Sequence, residues 1–219
     1  MKKLNQKYRI FGRSLGRSNK KVDLTNFNQQ ISNYKISKIK KSEDYILDIG
    51  SGYGETSIFF ANKYNQIKII ACDKYINGHL TLLKHIKEKN LKNIFIHNGN
   101  VYEILDKFKF QNIFNYVCVF FPDPWPKKKH NKRRIISDNF LQQIYFYLKR
   151  DAKLYIATDS ISYMKTIFKC LYNQKNIYEW VNQEEIHLGI KYHLNIETKF
   201  YKKAIIKGKN PTLFILKKI

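Results

Sequence analysis

Short apolar runs alternate with longer amphipathic segments along most of the chain. The runs are rich in β-branched and aromatic residues, as expected for strands that are buried on both faces. They predict five strands: Tyr45–Ile49, Ile67–Cys72, Asn93–His97, Ile113–Phe121 and Lys153–Thr158. Between and after them, the spacing of apolar residues predicts five helices: Glu55–Lys63, Tyr75–Lys89, Val101–Phe108, Asp138–Leu148 and Ser160–Tyr172. A less regular tail ends in a last predicted strand, Thr212–Leu216.

This alternation of strands and helices indicates repeated βαβ units and therefore a parallel sheet that is covered on both faces. We predict a doubly wound, mostly parallel α/β sheet whose ligands bind at the carboxyl ends of the strands. No repeat or low-complexity linker divides the sequence. We therefore expect one α/β domain over residues 41–219, preceded by a basic N-terminal arm over residues 1–40.

No apolar run approaches the roughly 18 to 20 residues that a membrane-spanning helix needs, so we expect no membrane span. The basic start Met1-Lys2-Lys3 is not followed by the apolar run of a secretory signal. The three cysteines lie far apart in apolar stretches, and no CxxC or HxxxH spacing occurs. This pattern predicts a cytoplasmic protein without a disulfide framework and without a metal site.

Positive charge is concentrated in two places on this 219-residue chain, which has 41 Lys and Arg against 17 Asp and Glu, a net charge of +24. Eight basic residues precede the first acidic residue, Asp23, and six more lie within Lys127–Arg134. A genome biased toward lysine would explain the number of these residues but not their clustering. Neither cluster has the apolar face of a membrane-surface helix, so the charge favours a nucleic-acid partner over an acidic membrane.

The first predicted strand runs into a glycine-rich turn, Asp48-Ile49-Gly50-Ser51-Gly52-Tyr53-Gly54. The dinucleotide fingerprint GxGxxG would need glycine at position 55, where Glu55 stands. A carboxylate at Asp48 repels a pyrophosphate but can pair with an ammonium or sulfonium group. Asp73, at the end of the second strand, can accept ribose hydroxyls, and Asn100, after the third, can meet an adenine edge.

These features together predict S-adenosylmethionine as the cofactor, since it carries two cationic groups and a nucleoside but no phosphate. The predicted cofactor-binding residues are Asp48, Gly50, Gly52, Asp73 and Asn100. Two simpler interpretations stay open at this point. The glycines could form an ordinary turn between a strand and a helix, and Asp73 could be the N-cap of the helix that follows it.

The fourth predicted strand ends in Phe120-Phe121-Pro122-Asp123-Pro124-Trp125-Pro126, followed at once by the run Lys127–Arg134, which reads KKKHNKRR. Three prolines in five residues make a stiff, extended loop, because each fixes its own φ and biases the preceding residue away from a helix. Such a loop can hold Asp123 and Trp125 against a nucleobase while the basic run holds phosphates. The alternative is a proline-rich turn beside a solvated basic surface.

The segment FFPDPWPKKKHNKRR resembles the characteristic motif of the bacterial tRNA (guanine-N7-)-methyltransferases, a Phe-Pro-Asp-Pro-Trp loop followed by a basic run. The resemblance extends to the Leu-Asp-Ile-Gly-Ser-Gly turn, to Ala157-Thr158-Asp159 and to Thr198-Lys199-Phe200, and it covers nearly all of residues 10–217. The N-terminal sequence FGRSLGR is also similar to the arm of some members. The resemblance implies a Rossmann-like, class I S-adenosylmethionine-dependent methyltransferase fold, and methylation of guanine N7 in the variable loop of tRNA.

The resemblance also implies roles for individual residues. Asp48, Asp73 and Asn100 match positions that contact the methyl donor, although the family often has Glu at the first two and Asp at the third. Asp123 matches the catalytic carboxylate. Substrate-contacting positions are Lys127, Asp159, Thr198, Lys199, Phe200 and Tyr201. RNA-contacting positions are Lys129, His130, Asn131, Lys132, Arg133 and Arg134. Tyr201 departs from the family, which usually has Glu there, and nearby Glu197 is a candidate replacement.

Two other functions remain open from the sequence. A methyltransferase acting on a small molecule or a protein nitrogen could share the fold and the proline-flanked acid, but would not require the adjoining basic run. A non-catalytic RNA-binding module could keep the fold, but would have no need for Asp48, Asp73 and Asp123 together. The expected partner is tRNA, with no membrane and no metal, and the chain could act as a monomer or a homodimer.

Overall fold

The structure is a computed structural model that describes residues 11, 14–15, 23–36, 38–107, 111–185 and 189–219. Most of the predicted N-terminal arm before residue 23, and Phe108 at the predicted end of the third helix, lie outside these residues. The helices are α1 (Leu24–Ser32), α2 (Glu55–Lys63), α3 (Ile76–Glu88), α4 (Val101–Lys107), α5 (Asp138–Tyr147), α6 (Ile161–Asn173), α7 (Gly189–Leu194) and α8 (Lys199–Ile206), with a 3₁₀ helix at Lys128–Arg133. The strands are β1 (Tyr45–Ile49), β2 (Lys68–Asp73), β3 (Ile94–Asn98), β4 (Phe114–Phe120), β5 (Leu148–Thr158), β6 (Tyr178–Trp180) and β7 (Thr212–Lys218).

The strands form one sheet in the order β3-β2-β1-β4-β5-β7-β6. Neighbouring strands from β3 to β5 are parallel, and β7 lies antiparallel between β5 and β6. The prediction of a doubly wound, mostly parallel sheet is therefore confirmed. The chain reverses its strand order between β1 and β4, so their carboxyl ends form the switch point at which ligands bind in open α/β sheets.

The core is divided by the sheet into two layers, because successive side chains of a strand point to opposite faces. In β1, Leu47 packs with one layer, together with α4, α5 and α6, whereas Ile46 packs with the other, together with α2 and α3. All five residues of β1 are buried. This continuous burial explains why the strand does not alternate apolar and polar residues in the sequence. It also places Asp48, the fourth residue of β1, in the interior near the carboxyl end of the strand.

Three parts of the fold differ from the sequence predictions. The segment over residues 1–40 contains α1, which is capped by Asp23 and buries Phe27 and Ile31 against the core. Strand β5 begins at Leu148 rather than Lys153, with Asp151 in a left-handed conformation (φ +59°) near its start. The irregular tail after α6 contains β6, α7 and α8. Within the described residues, no helix has both the length and the apolar character needed to cross a membrane.

Candidate active site

The glycine-rich turn at the end of β1 is held by its own hydrogen bonds. Gly50, Gly52 and Gly54 have φ values of +73°, +54° and +85°, a region that favours glycine. The amides of Gly50 and Ser51 donate to the carbonyl of Cys72 at 2.8 and 3.2 Å, and the amide of Gly54 donates to the Ser51 carbonyl at 2.8 Å. These N–H groups are therefore not free to cradle a phosphate, which is what glycine-rich turns of nucleotide-binding proteins do.

The carboxylates around this turn create a negative environment in an otherwise basic protein. Asp48 is only 2% exposed and accepts a hydrogen bond of 2.6 Å from the Ser57 hydroxyl. Burial, followed by the negative charges of Asp73 and Glu55, raises the pKa of Asp48 to about 7, although the Ser57 hydrogen bond opposes the shift. A cation bound beside Asp48 would relieve both the desolvation and the repulsion.

Asp73 and Asn100 are the other two residues predicted to contact the methyl donor. In the structure, the side chains of both accept hydrogen bonds from backbone amides. One Asp73 oxygen accepts from the amides of Lys74 and Tyr75 at 2.6 and 2.9 Å, and the other accepts from Gly52 at 2.8 Å. Asp73 thus ties the glycine turn to the residues just before α3, but it is not the N-cap of that helix, because Tyr75 holds the N-cap position and no side chain caps the helix there. The Asn100 side-chain oxygen accepts from the Tyr102 amide at 3.1 Å at the start of α4. One lone pair remains on the Asp73 oxygen that accepts from Gly52 and one on the Asn100 oxygen, so contact of both residues with the methyl donor stays a prediction.

Two observations indicate that this end of the sheet fits S-adenosylmethionine. A Cβ built on Gly50 would meet no atom within 4 Å, so there is space directly beside the turn. The Ser51 hydroxyl is buried without a hydrogen-bond partner, which is uncommon in folded proteins. Space, carboxylates and the absence of free amides at Gly50, Ser51, Gly52 and Gly54 suit a cationic nucleoside and do not suit a pyrophosphate.

The Pro-Asp-Pro loop follows β4 at the same edge of the sheet. Phe121 and Trp125, on either side of it, have positive φ values of +51° and +42°. Asp123 is exposed between them. Asp123 interacts electrostatically with Lys74. Burial lowers the pKa of Lys74, and the negative charges of Asp123 and Asp73 oppose that shift. The predicted catalytic carboxylate and the end of β2 therefore share one electrostatic environment.

Helix α8 joins the glycine turn to this loop. The Lys199 amide donates to Glu55 at 3.0 Å, and the Lys199 ammonium lies 4.0 Å from the centre of the Tyr53 ring. The Phe200 ring stacks on Phe121 with 6.4 Å between ring centres. Lys199 and Phe200, both predicted to contact substrate, thus lie between the proposed donor site and the loop that carries Asp123.

The remaining predicted substrate residues are arranged differently. Thr198 is buried, and its hydroxyl accepts from the Tyr201 amide at 3.1 Å, so it caps α8. Tyr201 is half-buried against the apolar layer that contains Ile46. Glu197, the candidate replacement for the family's Glu at 201, pairs with Lys191 at 2.7 Å.

Asp159 and Lys127 lie near the carboxyl edge of the sheet. Asp159 directly follows β5 and pairs with Lys209 at 2.7 Å. Lys127 is exposed at the start of the 3₁₀ helix, whose first turn is closed by a 2.7 Å bond from the His130 amide to the Lys127 carbonyl. Substrate contact by both side chains remains a prediction.

The basic run forms the 3₁₀ helix and the one residue on each side of it, Lys127 and Arg134. Lys129, Asn131 and Lys132 are exposed, as RNA contacts would have to be. The Arg133 guanidinium stacks on Trp125, 4.9 Å from a ring centre, and also lies 5.1 Å from the Phe11 ring centre. His130 packs edge-on against Trp125 with 5.9 Å between ring centres. Its pKa is lowered by desolvation first and then by the charges of Arg133, Lys127 and Lys132.

Arg134 requires a correction. The resemblance places it among the RNA-contacting residues, but it is only 6% exposed. Its guanidinium donates to the Pro124 carbonyl at 2.8 Å and to groups on α6. Arg134 therefore faces the interior, and phosphates on the surface of the 3₁₀ helix would not reach it.

The sequence analysis missed a group of residues that build the wall between the turn and α8. The hydroxyls of Tyr53 and Tyr75 lie 3.2 Å apart, and their rings meet edge to face with 5.6 Å between centres. In the sequence, Glu55 stands out only because it breaks the dinucleotide fingerprint, yet in the structure it accepts a hydrogen bond from the amide of Lys199 at the start of α8.

Cys118 is fully buried in β4, and burial raises the pKa of its thiol well above the usual range, so it serves as a core residue. Among the described residues, no three His, Cys, Asp or Glu side chains come together in a way that could hold a metal ion.

Comparison with known proteins agrees with this geometry. A protein-family model described as "Putative methyltransferase" matches residues 42–213. The tRNA (guanine-N(7)-)-methyltransferase of Neorickettsia sennetsu is 32% identical over 161 residues, which cover 74% of this chain and 73% of the relative. The chain belongs to the tRNA (guanine-N(7)-)-methyltransferase family. A second member, from Buchnera aphidicola subsp. Schizaphis graminum, is 33% identical over 184 residues, covering 83% of this chain and 76% of that member.

Solved structures of other methyltransferases share the fold of this family member. An rRNA methylase from Streptococcus thermophilus superposes with a TM-score of 0.54 at 12% identity, covering 91% of this chain and 98% of that protein. A precorrin-6y C5,15-methyltransferase from Geobacter metallireducens gives a TM-score of 0.52 at 12% identity, covering 94% of this chain and 93% of that protein. The predicted Rossmann-like methyltransferase fold is therefore confirmed.

Proposed function

We propose that this protein transfers a methyl group from S-adenosylmethionine to N7 of a guanosine in tRNA, and that the target lies in the variable loop. The observation that carries the proposal is the contrast between the two sides of the site. The turn after β1 is lined by carboxylates and has its amides engaged, whereas the loop after β4 is followed by an exposed basic 3₁₀ helix. This arrangement suits a cationic donor beside a polyanionic acceptor, and family membership supports tRNA as that acceptor.

On the donor side, the chain's residues would bind and orient S-adenosylmethionine. When bound, that cofactor supplies an electrophilic methyl group on a sulfonium. Asp48 would pair with a cationic group, and the open space at Gly50 would admit the ligand close to the backbone. Asp73 would hold the turn in shape through Gly52 while offering its remaining lone pair to a ribose hydroxyl.

On the acceptor side, the reaction requires that the guanine be positioned correctly, and it does not require a general base. Guanine N7 carries an unprotonated lone pair that faces the major groove, so no proton has to be removed before methylation. The methylated ring is cationic. A carboxylate at Asp123 would stabilise that charge as it develops and could accept hydrogen bonds from the guanine N1–H and N2–H groups. A preorganised group of this kind typically contributes about 3 to 4 kcal/mol.

The proposal is tested by assaying methyl transfer to unmodified tRNA transcripts with a labelled donor. We expect N7-methylguanosine as the labelled product. A matched transcript carrying 7-deazaguanosine at the target position lacks the N7 atom and should accept no label. Transfer to that transcript at the normal rate, or transfer only to small molecules or proteins, would contradict the proposal and favour a methyltransferase of another substrate class. Binding of tRNA without donor binding and without transfer would favour a non-catalytic RNA-binding module.

Three finer parts of the proposal have their own measurements. The modified position is found by borohydride reduction and aniline cleavage of tRNA, because N7-methylguanosine is then selectively labile, and a cut outside the variable loop would contradict that assignment. A monomer or a homodimer is distinguished by sedimentation. A tRNA substrate implies a cytoplasmic enzyme, which fractionation of cells would test.

The exposed part of the basic run gives a prediction about RNA binding. Replacing Lys129, Lys132 and Arg133 together by Gln should weaken tRNA binding and flatten its salt dependence, by about 0.7 to 0.9 in slope for each phosphate that is no longer neutralised. Donor affinity should not change. The matched control replaces Lys84 and Lys87, two exposed lysines near the end of α3, and Lys89, which directly follows that helix. Equal effects of the two triple substitutions would mean that the run acts only through overall charge.

A further inference from the structure

The Arg134 side chain is committed to the interior of the protein. Its Nε donates to the Pro124 carbonyl at 2.8 Å. Its Nη1 donates to the Ser162 carbonyl at 3.0 Å and to the Thr166 hydroxyl at 2.5 Å, and its Nη2 donates to the Ser162 hydroxyl at 3.1 Å. The guanidinium also lies over the Tyr163 ring, 5.0 Å from its centre. Four of its five N–H groups are therefore used, all on neutral acceptors.

These contacts indicate that Arg134 holds two parts of the fold in a fixed relative position. Burying a charge is costly unless its hydrogen bonds are satisfied, and in some proteins a buried charged side chain fixes a particular arrangement of elements. Here the guanidinium connects α6, through Ser162 and Thr166, to the loop after β4, through Pro124. Its planar fork reaches both sides at once, which a single ammonium could not do.

The loop needs a donor from outside itself. Pro122 and Pro124 have no N–H, so backbone hydrogen bonds can anchor them to the fold only through their carbonyls. The residues beside the loop are strained, since Phe121 and Trp125 have positive φ values. Non-glycine residues persist in that region only when surrounding contacts hold them there. The Arg134–Pro124 hydrogen bond lies between the two strained positions and is adjacent in sequence to Asp123.

We propose that Arg134 is a positioning residue for methyl transfer: it fastens the Pro122-Asp123-Pro124 loop to α6 and so sets where the Asp123 carboxylate lies. This inference rests on the proposed function for its catalytic readout. It separates Arg134 from Arg133, its neighbour in the basic run, which stacks on Trp125 at the surface.

Arg134→Gln tests the proposal directly. Because small misplacement of a catalytic group can cost up to about 100-fold in rate, we expect the single-turnover rate at saturating tRNA to fall by roughly 10- to 100-fold. Donor affinity, tRNA affinity and the salt slope of tRNA binding should stay within about 2-fold of the wild-type values. The matched control, Arg150→Gln, changes an arginine whose side chain is 95% exposed and should alter none of these values. A lower tRNA affinity and salt slope with a normal saturated rate would show that Arg134 contacts phosphate, and would overturn the proposal.

Two substitutions on α6 keep the test decisive if Arg134→Gln fails to fold. Ser162→Ala and Thr166→Val remove acceptors of the guanidinium without changing the loop or the basic run. Each should slow transfer in the same direction as Arg134→Gln but less strongly. Combined with Arg134→Gln, where that variant folds, neither should slow transfer further, because the anchor is already absent. Wild-type rates in both α6 variants would overturn the proposal.

A readout that does not depend on methylation separates this inference from the proposed function. The chain has two tryptophans, so Trp180→Phe leaves Trp125 as the sole tryptophan and the fluorescent reporter of the loop. In that background, Ser162→Ala and Thr166→Val should raise the acrylamide quenching of Trp125, whereas Arg150→Gln should not. Unchanged quenching would overturn the anchoring role, even for an active enzyme. Raised quenching in a protein that transfers no methyl to tRNA would support the anchor and reject only the proposed function.

Discussion

Asp123→Asn is expected to lower kcat for tRNA methylation by about 100-fold or more while leaving donor binding intact. The substitution keeps the size of the side chain but removes the negative charge that would face the cationic ring. Because that charge develops only during transfer, its loss should appear mainly in kcat. Part of the effect should appear in KM if the same carboxylate also accepts hydrogen bonds from the guanine N1–H and N2–H groups before transfer.

The measurement is single-turnover methylation at saturating donor, with donor affinity determined by titration calorimetry on the same preparation. Asp123 is exposed at the tip of a proline-stiffened loop, so the variant should fold like the wild type. Wild-type single-turnover rates would mean that Asp123 only shapes the loop. Asp159, at the end of the neighbouring strand β5, would then be the carboxylate to examine next.

Asp48→Asn should weaken donor binding and at the same time stabilise the free protein at pH 8. A charge-assisted contact is worth about 1.5 to 3 kcal/mol, so the donor affinity should fall by roughly 10- to 100-fold. Asparagine can still accept the Ser57 hydrogen bond, but it carries no buried charge. Calorimetric titration with S-adenosylmethionine measures the first effect, and thermal unfolding without ligand measures the second.

The sign of the pH dependence follows from the raised pKa of Asp48, which is about 7 in the folded chain. The native state therefore holds this proton more tightly than the unfolded chain does. That stabilisation is complete below the ordinary carboxyl pKa of about 4 and is lost as the pH rises through about 7. Asp48→Asn should thus raise the melting temperature more at pH 8 than at pH 5, by roughly 2 to 4 °C per kcal/mol gained.

Donor affinity should show the opposite trend in the wild type. A cation prefers the ionised carboxylate, so affinity should fall as the pH drops below about 7, and Asp48→Asn should abolish this dependence. Asp151→Asn is the matched control, since Asp151 is exposed at the other end of β5, away from the carboxyl edge of the sheet. A donor affinity that is unaffected by Asp48→Asn would remove Asp48 from the proposed donor site.

The sequence predicted those features that depend on chain order. Asp48, Asp73 and Asn100 each lie at or just after the end of a strand of a parallel sheet, so their common location at one edge follows from the topology alone. The stiffness of the loop around Asp123 follows in the same way from its prolines. The functions of the side chains are less predictable, because a carboxylate such as Asp73 meets the same backbone amides whether or not it also meets a ligand.

Other features depend on tertiary contacts that no local pattern encodes. Arg133 and Arg134 are adjacent and chemically identical, yet one lies on the Trp125 ring at the surface and the other beneath the loop. Their directions are set by the 3₁₀ helix and by the position of α6. Helix α1, in contrast, had a readable signal: Asp23 as N-cap, followed by Leu24, Phe27 and Ile31 at helical spacing. The basic residues before it favoured the interpretation as an arm.

The hydrogen bonds that the glycine turn makes within the protein affect which ligands the turn can bind inside a cell. ATP and the dinucleotide cofactors carry the same adenosine as S-adenosylmethionine and could compete for a site that recognised only the base and the ribose. Here the amides of Gly50, Ser51, Gly52 and Gly54 are already engaged before any ligand arrives, and Asp48, Asp73 and Glu55 surround them. If the methyl donor binds at this turn as proposed, discrimination against these abundant metabolites would be electrostatic and would already be present before any ligand binds.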